Sequence, residues 1–324
     1  MHFSSVSLAL ALFAVTSLAA GRVVLDAHNC YPYDGKYQDR IDIALKTGLP
    51  LAIEQDLAWY VDPATGQGRS VLIHGEKPNG REPNMRDYFF ERVRPIVEKA
   101  LRENKRHRWP LITLNLDFKT DEPAHHRAVL KLLSEYQHWL TTAPRTATPD
   151  VLSKLDWKPI LVLTGVSPTQ QRIYHDDVPV GGRVLLFGGG AVTSRQADTP
   201  VEQLIPQPAT NYRRWCNSPW SIVELGGQAK AVDWSASDAA RLNAIVERVH
   251  RLGYWMRLYT LNGHEPKIGA DAGWSPAYNF GSLAAAQLRW KAAVEAGVDY
   301  IATDQYEQFA PFVKKSKKAK IGLP

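Results

Sequence analysis

The chain has few cysteines and lacks the short motifs that mark several common enzyme classes. Only two cysteines, Cys30 and Cys216, occur among 324 residues, which excludes a disulfide-rich scaffold. They could form one disulfide or remain two thiols, and the sequence leaves both open. There is no Walker loop, no CxxC pair, no GxSxG and no basic stretch interleaved with aromatic residues. These absences argue against a P-loop protein, a CxxC redox or zinc site, a serine hydrolase and a nucleic-acid-binding protein.

The first twenty residues lack Lys, Arg, Asp and Glu. Within them Val6–Val15 reads VSLALALFAV, and the small residues Ser17, Ala19 and Ala20 follow. Such a run is typical of a secretory signal peptide and is short for a membrane span, although a membrane anchor is the alternative. No other stretch reaches about 18 apolar residues. The sequence therefore predicts a signal peptide at residues 1–20 and a secreted or periplasmic protein.

Short apolar runs alternate with helical patterns through the rest of the chain. Eight runs predict strands: Arg22–Ala27, Leu51–Gln55, Leu111–Phe118, Pro159–Thr164, Arg183–Phe187, Trp220–Leu225, Trp255–Leu261 and Tyr300–Thr303. Five segments between them predict helices: Lys36–Thr47, Met85–Asn104, Pro123–Leu140, Ser235–Leu252 and Ser282–Ala296. Because strand and helix alternate through eight strands, the fold class is α/β, and a closed (β/α)₈ (TIM) barrel is predicted. A doubly wound open sheet is the competing architecture.

Two long insertions interrupt this pattern without dividing the chain. Residues 59–84 are rich in Gly and Pro and contain a short predicted strand at Ser70–Ile73, and residues 196–219 are rich in Pro. Neither resembles an interdomain linker, so one barrel domain is predicted at residues 21–313. The basic residues 314–324 are predicted to be a solvated tail that could touch an anionic membrane surface.

Polar residues follow the predicted strands, where the active sites of such barrels lie. The second strand ends in Glu54-Gln55-Asp56 and the third in Asp117-Phe118-Lys119. Residues i and i+2 of a strand share a face, so Glu54 converges with Asp56 and Asp117 with Lys119. Neighbouring carboxylates repel each other unless a cation neutralises them, and three such oxygen donors suit Mg²⁺ or Ca²⁺. Ion pairs with Lys and Arg are the alternative.

Two histidines accompany this carboxylate cluster in the sequence. His28 follows the first strand, and His74 lies in the Gly/Pro-rich segment VLIHGEKPNG. Taken alone, His28 could be a core histidine and His74 a surface one. Their placement around one carboxylate cluster makes both of them catalytic candidates.

The order of these residues resembles that of a known superfamily. The chain contains, in this order, a His, a Glu-x-Asp motif, a second His, a Thr-x-Asn strand and the segment GVDYIATD, which ends at Asp304. This order is similar to that of the glycerophosphodiester phosphodiesterases. It also resembles the sphingomyelinase D branch of the phosphatidylinositol-phospholipase-C-like barrels. Asn29 and Gly75 stand where the glycerophosphodiesterases usually have Arg and Asp. The His74-Gly75 pair and the Asp117-x-Lys119 strand favour the sphingomyelinase-D-like side.

The resemblance implies a role for each matching residue. The catalytic histidines would be His28 and His74, the metal ligands Glu54, Asp56 and Asp117, and the phosphate-binding residues Lys119 and Asn262. One histidine would remove a proton from the attacking hydroxyl, and the other would protonate the leaving alkoxide. The assignment of the acid and base roles to the two histidines stays open. It is also open whether water or a substrate hydroxyl attacks the phosphate.

The sequence thus predicts an exported, metal-dependent phosphodiesterase that cleaves a glycerophosphodiester or phospholipid-like substrate. Its substrate would be a small molecule or a lipid, and no obligate protein partner is inferred. A glycoside hydrolase that pairs Glu224 with Glu54 or Asp56 is the second interpretation. A non-catalytic barrel that binds phosphate or lipid is the third. The segment Gly188–Gly190 could contact phosphate through its backbone, but a flexible loop is the favoured interpretation.

Overall fold

The computed structural model describes residues 22–32, 37–74, 77–225, 233–271 and 276–321. The predicted signal peptide at residues 1–20 lies outside these residues, so its prediction stands untested. Within the described residues, no helix combines the length and the apolar character needed to cross a membrane.

The strands form one large sheet and two small accessory pairings. In chain order they are β1 (Val24–Ala27), β2 (Leu51–Val61), β3 (Gly68–Leu72), β4 (Ile112–Phe118), β5 (Ala143–Pro144), β6 (Ile160–Thr164), β7 (Arg183–Val184), β8 (Gly188–Gly189), β9 (Arg213–Pro219), β10 (Trp255–Tyr259) and β11 (Tyr300–Thr303). Parallel neighbours follow the order β6-β4-β2-β1-β11-β10-β9-β8, and a parallel bridge between Leu163 and Phe187 joins its two ends. The predicted (β/α)₈ barrel is thereby confirmed. The hairpin strand β3 pairs antiparallel with the end of β2, and β5 pairs with β7.

Helices between the strands cover the outside of the barrel. They are α1 (Arg40–Lys46), α2 (Glu91–Glu103), α3 (Pro123–Glu135), α4 (Pro168–Gln171), α5 (Val201–Leu204), α6 (Ala236–Arg251), α7 (Pro266–Asp271), α8 (Leu283–Ala296) and α9 (Tyr306–Ile321). A π-helical turn precedes α2 and another follows α4, at Arg86–Phe90 and Arg172–Asp176. Short 3₁₀ turns lie at Arg106–Arg108, Gln137–Trp139, Trp220–Ile222 and Pro276–Tyr278.

Local sequence accounts for several of the helix ends. The Ser235 side chain accepts a hydrogen bond from the Asp238 backbone and forms a capping box with it, as expected of a Ser that precedes a helical pattern. The Ser282 side chain accepts a hydrogen bond from the Ala285 backbone N–H at the start of α8, and Gly297 ends that helix with a φ of 83°. The helix α9 continues to Ile321, so most of the basic segment predicted to be a tail has a helical backbone.

Two predicted strands are wrong in position. The fifth was expected at Arg183–Phe187, but Arg183–Val184 pairs with β5 outside the barrel, and the barrel strand is the two-residue β8. The sixth was expected at Trp220–Leu225, whereas the strand is Arg213–Pro219. Its sequence, RRWCNSP, lacks a β-branched apolar run, and it is a strand because Trp215 and Cys216 are buried against the barrel.

The glycines after the predicted fifth strand serve packing. The backbone N–H groups of Gly188, Gly189 and Gly190 donate to Tyr212, Gly165 and Trp215 within the barrel, so they do not face a phosphate. A Cβ atom at Gly188 would lie 2.3 Å from the Tyr212 ring, and one at Gly190 would lie 2.7 Å from the Tyr254 ring. Glycine therefore lets large aromatic rings pack directly on this strand, which corrects the flexible-loop interpretation as well.

Two kinds of buried side chain fill the molecule. Aromatic residues, including Trp139, Trp215, Trp220 and Trp290, are almost completely buried in the apolar core. The barrel interior near its C-terminal end instead contains buried charged and polar groups that belong to the site described below. Cys30 and Cys216 are both buried free thiols, so no disulfide joins them.

Candidate functional site

The candidate site lies at the C-terminal mouth of the barrel, where β1, β2 and β4 end. In the register of β2 and β4, Asp56 lies directly beside Asp117, and Glu54 beside Asn115. Glu54 and Asp56 are two residues apart and therefore share the inner face of β2. Strand register thus explains why the three acidic residues converge as predicted.

The acidic residues form a compact trio. Glu54, Asp56 and Asp117 each offer one carboxylate oxygen, and these oxygens lie within 4.8 Å of one another. Glu54 and Asp56 are buried, whereas Asp117 is exposed at the rim. The Lys119 ammonium donates to Asp117 at 2.7 Å and lies 2.8 Å from Asp56 Oδ2, so it neutralises part of this charge. These ion pairs raise the pKa of Lys119 against the effect of its burial, and it stays a cation.

The surroundings of Asp56 fit a bound cation. Burial, with the carboxylates of Asp117 and Glu54, raises the pKa of Asp56 to about 8. Its Oδ2 atom also lies 2.8 Å from the Tyr31 hydroxyl, but its Oδ1 atom is buried and has no hydrogen-bond partner among the described residues. A buried carboxylate oxygen without a partner is costly, and a hard divalent cation would satisfy it. The three oxygen donors therefore suit Mg²⁺ or Ca²⁺.

A buried arginine that the sequence analysis did not single out holds Glu54. The Arg257 guanidinium donates to Glu54 Oε1 at 3.0 Å and also pairs with Asp26 inside the barrel. The backbone N–H of Asn29 donates to Glu54 Oε2 at 2.9 Å. Although burial opposes it, the positive charges of His28 and Arg257 lower the pKa of Glu54 to about 2, so Glu54 is ionised. A charged residue inside the apolar strand WMRLY was the signal that could have revealed Arg257.

His28 lies between two carboxylates. Its Nδ1 atom is 3.2 Å from Asp304 Oδ2, and its Nε2 atom is 3.6 Å from Glu54 Oε2. Burial alone would lower the pKa of His28, but Glu54 and Asp304 outweigh it and raise that pKa to about 9. His28 is therefore protonated at neutral pH and can give up a proton from Nε2 once a substrate displaces the contact with Glu54.

Asp304 is fixed by several donors. Arg40 donates to it at 3.1 Å and Asn29 at 3.0 Å. Asn262 also donates to Asp304, and its side-chain oxygen accepts from Thr303 at 2.9 Å and from the Asp304 backbone at 2.8 Å. The phosphate-binding role predicted for Asn262 stays a prediction, since its amide here supports the carboxylate that orients His28.

His74 reaches the same cluster from the loop that follows β3. Its Nε2 atom is 4.0 Å from Asp56 Oδ2, and its ring stacks on Tyr31 with a centroid distance of 6.5 Å. The side chain is 42% exposed, so the ring is open to solvent and to a ligand. Partial burial, followed by the nearby positive charge of Lys119, lowers the pKa of His74. A protonated His28 and a neutral His74 at one carboxylate cluster offer the proton donor and the proton acceptor that general acid–base chemistry requires.

Glu224 has a structural role. Arg289 donates to both of its carboxylate oxygens, at 2.9 and 2.6 Å, and both residues are buried. A carboxylate held in this way cannot act as the mobile acid or nucleophile that the glycoside-hydrolase interpretation requires.

Comparison with known proteins yields only structural likeness. No protein-family model matches the chain, and no curated protein matches it. Among solved structures, a calcium-dependent phosphoinositol-specific phospholipase C from Pseudomonas has a TM-score of 0.45 at 12% identity, over 89% of this chain and 90% of that one. A dihydropteroate synthase from Vibrio fischeri has a TM-score of 0.41 at 13% identity, over 93% and 94%. The dihydropteroate synthase of Thermus thermophilus has a TM-score of 0.40 at 13% identity, over 92% and 94%. Likeness at this level is no evidence for either activity.

Proposed function

We propose that the protein is a phosphodiesterase that uses a divalent cation and two histidines to cleave a glycerophosphodiester or phospholipid-like substrate. The observation that carries this proposal is the convergence of His28, His74, Lys119 and the carboxylate trio at one barrel mouth. A phosphodiester needs a charge clamp, a proton acceptor and a proton donor, and this site contains all three.

Each residue then has a defined task. Glu54, Asp56 and Asp117 would hold the cation, which when bound neutralises charge on the phosphate oxygens. Lys119 would add its fixed positive charge on the same side of the phosphate. His74, neutral and accessible, would remove the proton from the attacking hydroxyl. His28, protonated and oriented by Asp304, would protonate the leaving oxygen.

The competing interpretations have less support. A glycoside hydrolase would need the Glu224 carboxylate to act together with Glu54 or Asp56, but both oxygens of Glu224 are already bound by Arg289. A non-catalytic phosphate-binding barrel would not need an oriented histidine, whereas Asp304 fixes His28. The signal-peptide pattern extends the proposal to an exported enzyme, and the basic C-terminal segment extends it to contact with an anionic membrane.

A metal-resolved activity screen tests the proposal. The mature chain would be assayed with bis-p-nitrophenyl phosphate, glycerophosphocholine and lysophosphatidylcholine, each with EDTA, Mg²⁺ or Ca²⁺. A p-nitrophenyl glycoside serves as the control substrate for the alternative. We expect cation-dependent release from at least one diester and none from the glycoside. The absence of turnover of every diester under all metal conditions would contradict the proposal.

A further inference from the structure

A cleft lies at the C-terminal ends of β8, β9 and β10, at the same end of the barrel as the carboxylate cluster. We propose that it binds a small hydroxylated group that carries its own negative charge, namely the leaving group of the substrate. The inference rests on the function proposed above. The cleft has a volume of about 250 Å³, which is smaller than the pockets that hold drug-sized ligands. A phosphorylated polyol of three carbons is a group of suitable size.

The charge of the lining favours an anion. Among the described residues that line the cleft, Arg195 is the single ionisable cation and no carboxylate occurs. The Arg195 side chain is exposed, and its guanidinium has no hydrogen bond or ion pair with any residue in the described ranges. The planar guanidinium group can bind a phosphate or carboxylate group through two parallel hydrogen bonds.

Two polar residues that line the cleft, the exposed Asn217 and the buried Ser218, favour hydroxyls on the same ligand. Ser218 is 1% exposed, and its Oγ atom is buried without a hydrogen-bond partner in the described part of the chain. Asn217 Oδ1 accepts from Arg257 at 2.9 Å, while the Asn217 NH₂ group has no partner among the described residues. Because an unsatisfied buried hydroxyl is destabilising, a ligand that supplies a hydroxyl group would recover that free energy.

Two contacts connect the cleft to the reacting groups. Arg257 donates to Asn217 in the cleft and to Glu54 in the cluster, so the two sites share one rigid side chain. Tyr259 lines the cleft, and its ring stacks on His28 with a centroid distance of 6.4 Å and an angle of 16°. The cleft and the reacting groups thus share Arg257 and Tyr259, and in the proposed complex the leaving group extends from the cleft past Tyr259 towards His28, which protonates its oxygen.

Calorimetric titration with sn-glycerol 3-phosphate tests the cleft without relying on turnover. We expect Arg195→Gln to weaken binding by about 10- to 100-fold, the range expected for a lost charge-assisted hydrogen bond. Arg183→Gln is the matched control, because Arg183 is also exposed but precedes β8 and does not line the cleft. Lys119→Gln should keep the Arg195-dependent binding. Unchanged binding in Arg195→Gln, binding lost only in Lys119→Gln, or no measurable binding to the wild-type protein would overturn the proposal.

A second variant tests the hydroxyl group. Ser218→Ala removes a buried oxygen that has no partner, so we expect an unchanged or raised thermal midpoint together with about 3- to 10-fold weaker binding of glycerol 3-phosphate. Retention of full affinity would show that Ser218 does not contact the ligand and would remove the hydroxyl part of the proposal.

Turnover measurements test whether the cleft holds the leaving group during the reaction. Glycerophosphoglycerol and its derivative with a terminal phosphate differ only in the second anion. We expect the wild-type enzyme to prefer the phosphorylated substrate through a lower KM, and Arg195→Gln to lose at least about tenfold of that preference.

Turnover of both substrates without preference would overturn the leaving-group assignment while the proposed function stands. If neither the diesters of the metal screen nor these two turn over, the proposed function fails, and the leaving-group assignment falls with it. The titration then decides whether the cleft binds the anion.

Discussion

The Nδ1 atom of His28 lies 3.2 Å from Asp304 Oδ2, which joins the end of the first barrel strand to the end of the last. Strands β1 and β11 are hydrogen-bonded neighbours, so this contact follows from closure of the barrel. His28 and Arg40 outweigh the effect of burial and lower the pKa of Asp304 to about 2, so Asp304 stays ionised and fixes the histidine ring.

Replacement of Asp304 should impair catalysis, and it should also lower the thermal midpoint because the buried Arg40 loses its charged partner. In Asp304→Asn the amide can present a donor to Nδ1 and disturb the orientation and protonation of His28, so we expect turnover to fall by at least about 10²-fold. The measurement is turnover of the best substrate alongside the thermal midpoint. Asp299→Asn is the matched control, since Asp299 precedes the same strand at the opposite end of the barrel and pairs with His250. An Asp304→Asn enzyme as active as Asp299→Asn would contradict the role of Asp304.

Asp56→Asn should separate activity from stability. The amide has nearly the shape of the carboxyl group and removes the repulsion with Asp117 and Glu54, so we expect the thermal midpoint to stay near or above that of the wild-type protein. Loss of a cation ligand should lower turnover by orders of magnitude, and added Mg²⁺ or Ca²⁺ should no longer raise the thermal midpoint. Normal metal-dependent turnover in Asp56→Asn would contradict its role as a ligand.

His125 should make the fold sensitive to acid. His125 is fully buried, and its Nε2 and Nδ1 atoms lie 2.8 Å from the Ser70 hydroxyl and 2.9 Å from the Thr120 hydroxyl. Burial, followed by the nearby charge of His126, lowers the pKa of His125 to about 4. The unfolded chain binds this proton below about pH 6.5, whereas the folded protein does so only below about pH 4. Stability should therefore fall as the pH drops from about 6.5 to 4, by about 3 kcal/mol from this group.

Urea denaturation at pH 7 and pH 4.5 measures this effect. The loss of unfolding free energy between the two pH values should be smaller in His125→Asn than in the wild-type protein. His107→Asn is the control, because His107 lies at an exposed turn, and this variant should lose as much unfolding free energy as the wild-type protein. Equal losses in all three proteins would show that His125 does not contribute.

Glu224→Gln should destabilise the protein without abolishing catalysis. The change leaves the buried Arg289 without its charged partner, and breaking such a buried pair costs about 3–5 kcal/mol. We expect a markedly lower thermal midpoint but near-normal turnover per folded molecule at low temperature. Selective loss of turnover with an unchanged midpoint would instead favour the glycoside-hydrolase interpretation.

Local sequence patterns were sufficient for the barrel and for most of the site. The β-branched runs marked most of the barrel strands, and the i, i+2 spacing brought Glu54 towards Asp56 and Asp117 towards Lys119, as the structure shows. The strand Arg213–Pro219 escaped prediction because its burial depends on tertiary contacts and its own residues are largely polar.

The supporting contacts of the site were also beyond the sequence. Arg257 reaches Glu54 across 203 positions of the chain, and Arg40 reaches Asp304 across 264. Pairing over such distances depends on where individual side chains point inside the closed barrel, which the spacing of residues along the chain does not specify. The sequence motifs identified His28 and Asp304, but they did not show that the Asn262 amide donates a hydrogen bond to Asp304.

The central claim is that two histidines carry out proton transfer at one phosphate. The most direct test is the turnover of the best diester substrate by His28→Asn and His74→Asn, each compared with the wild-type enzyme at saturating cation. Asn keeps a polar side chain but cannot transfer the proton, so the account predicts a fall of at least about 10²-fold in each variant, with binding of a non-hydrolysable diester nearly unchanged. Near-normal turnover by either variant would contradict the two-histidine mechanism.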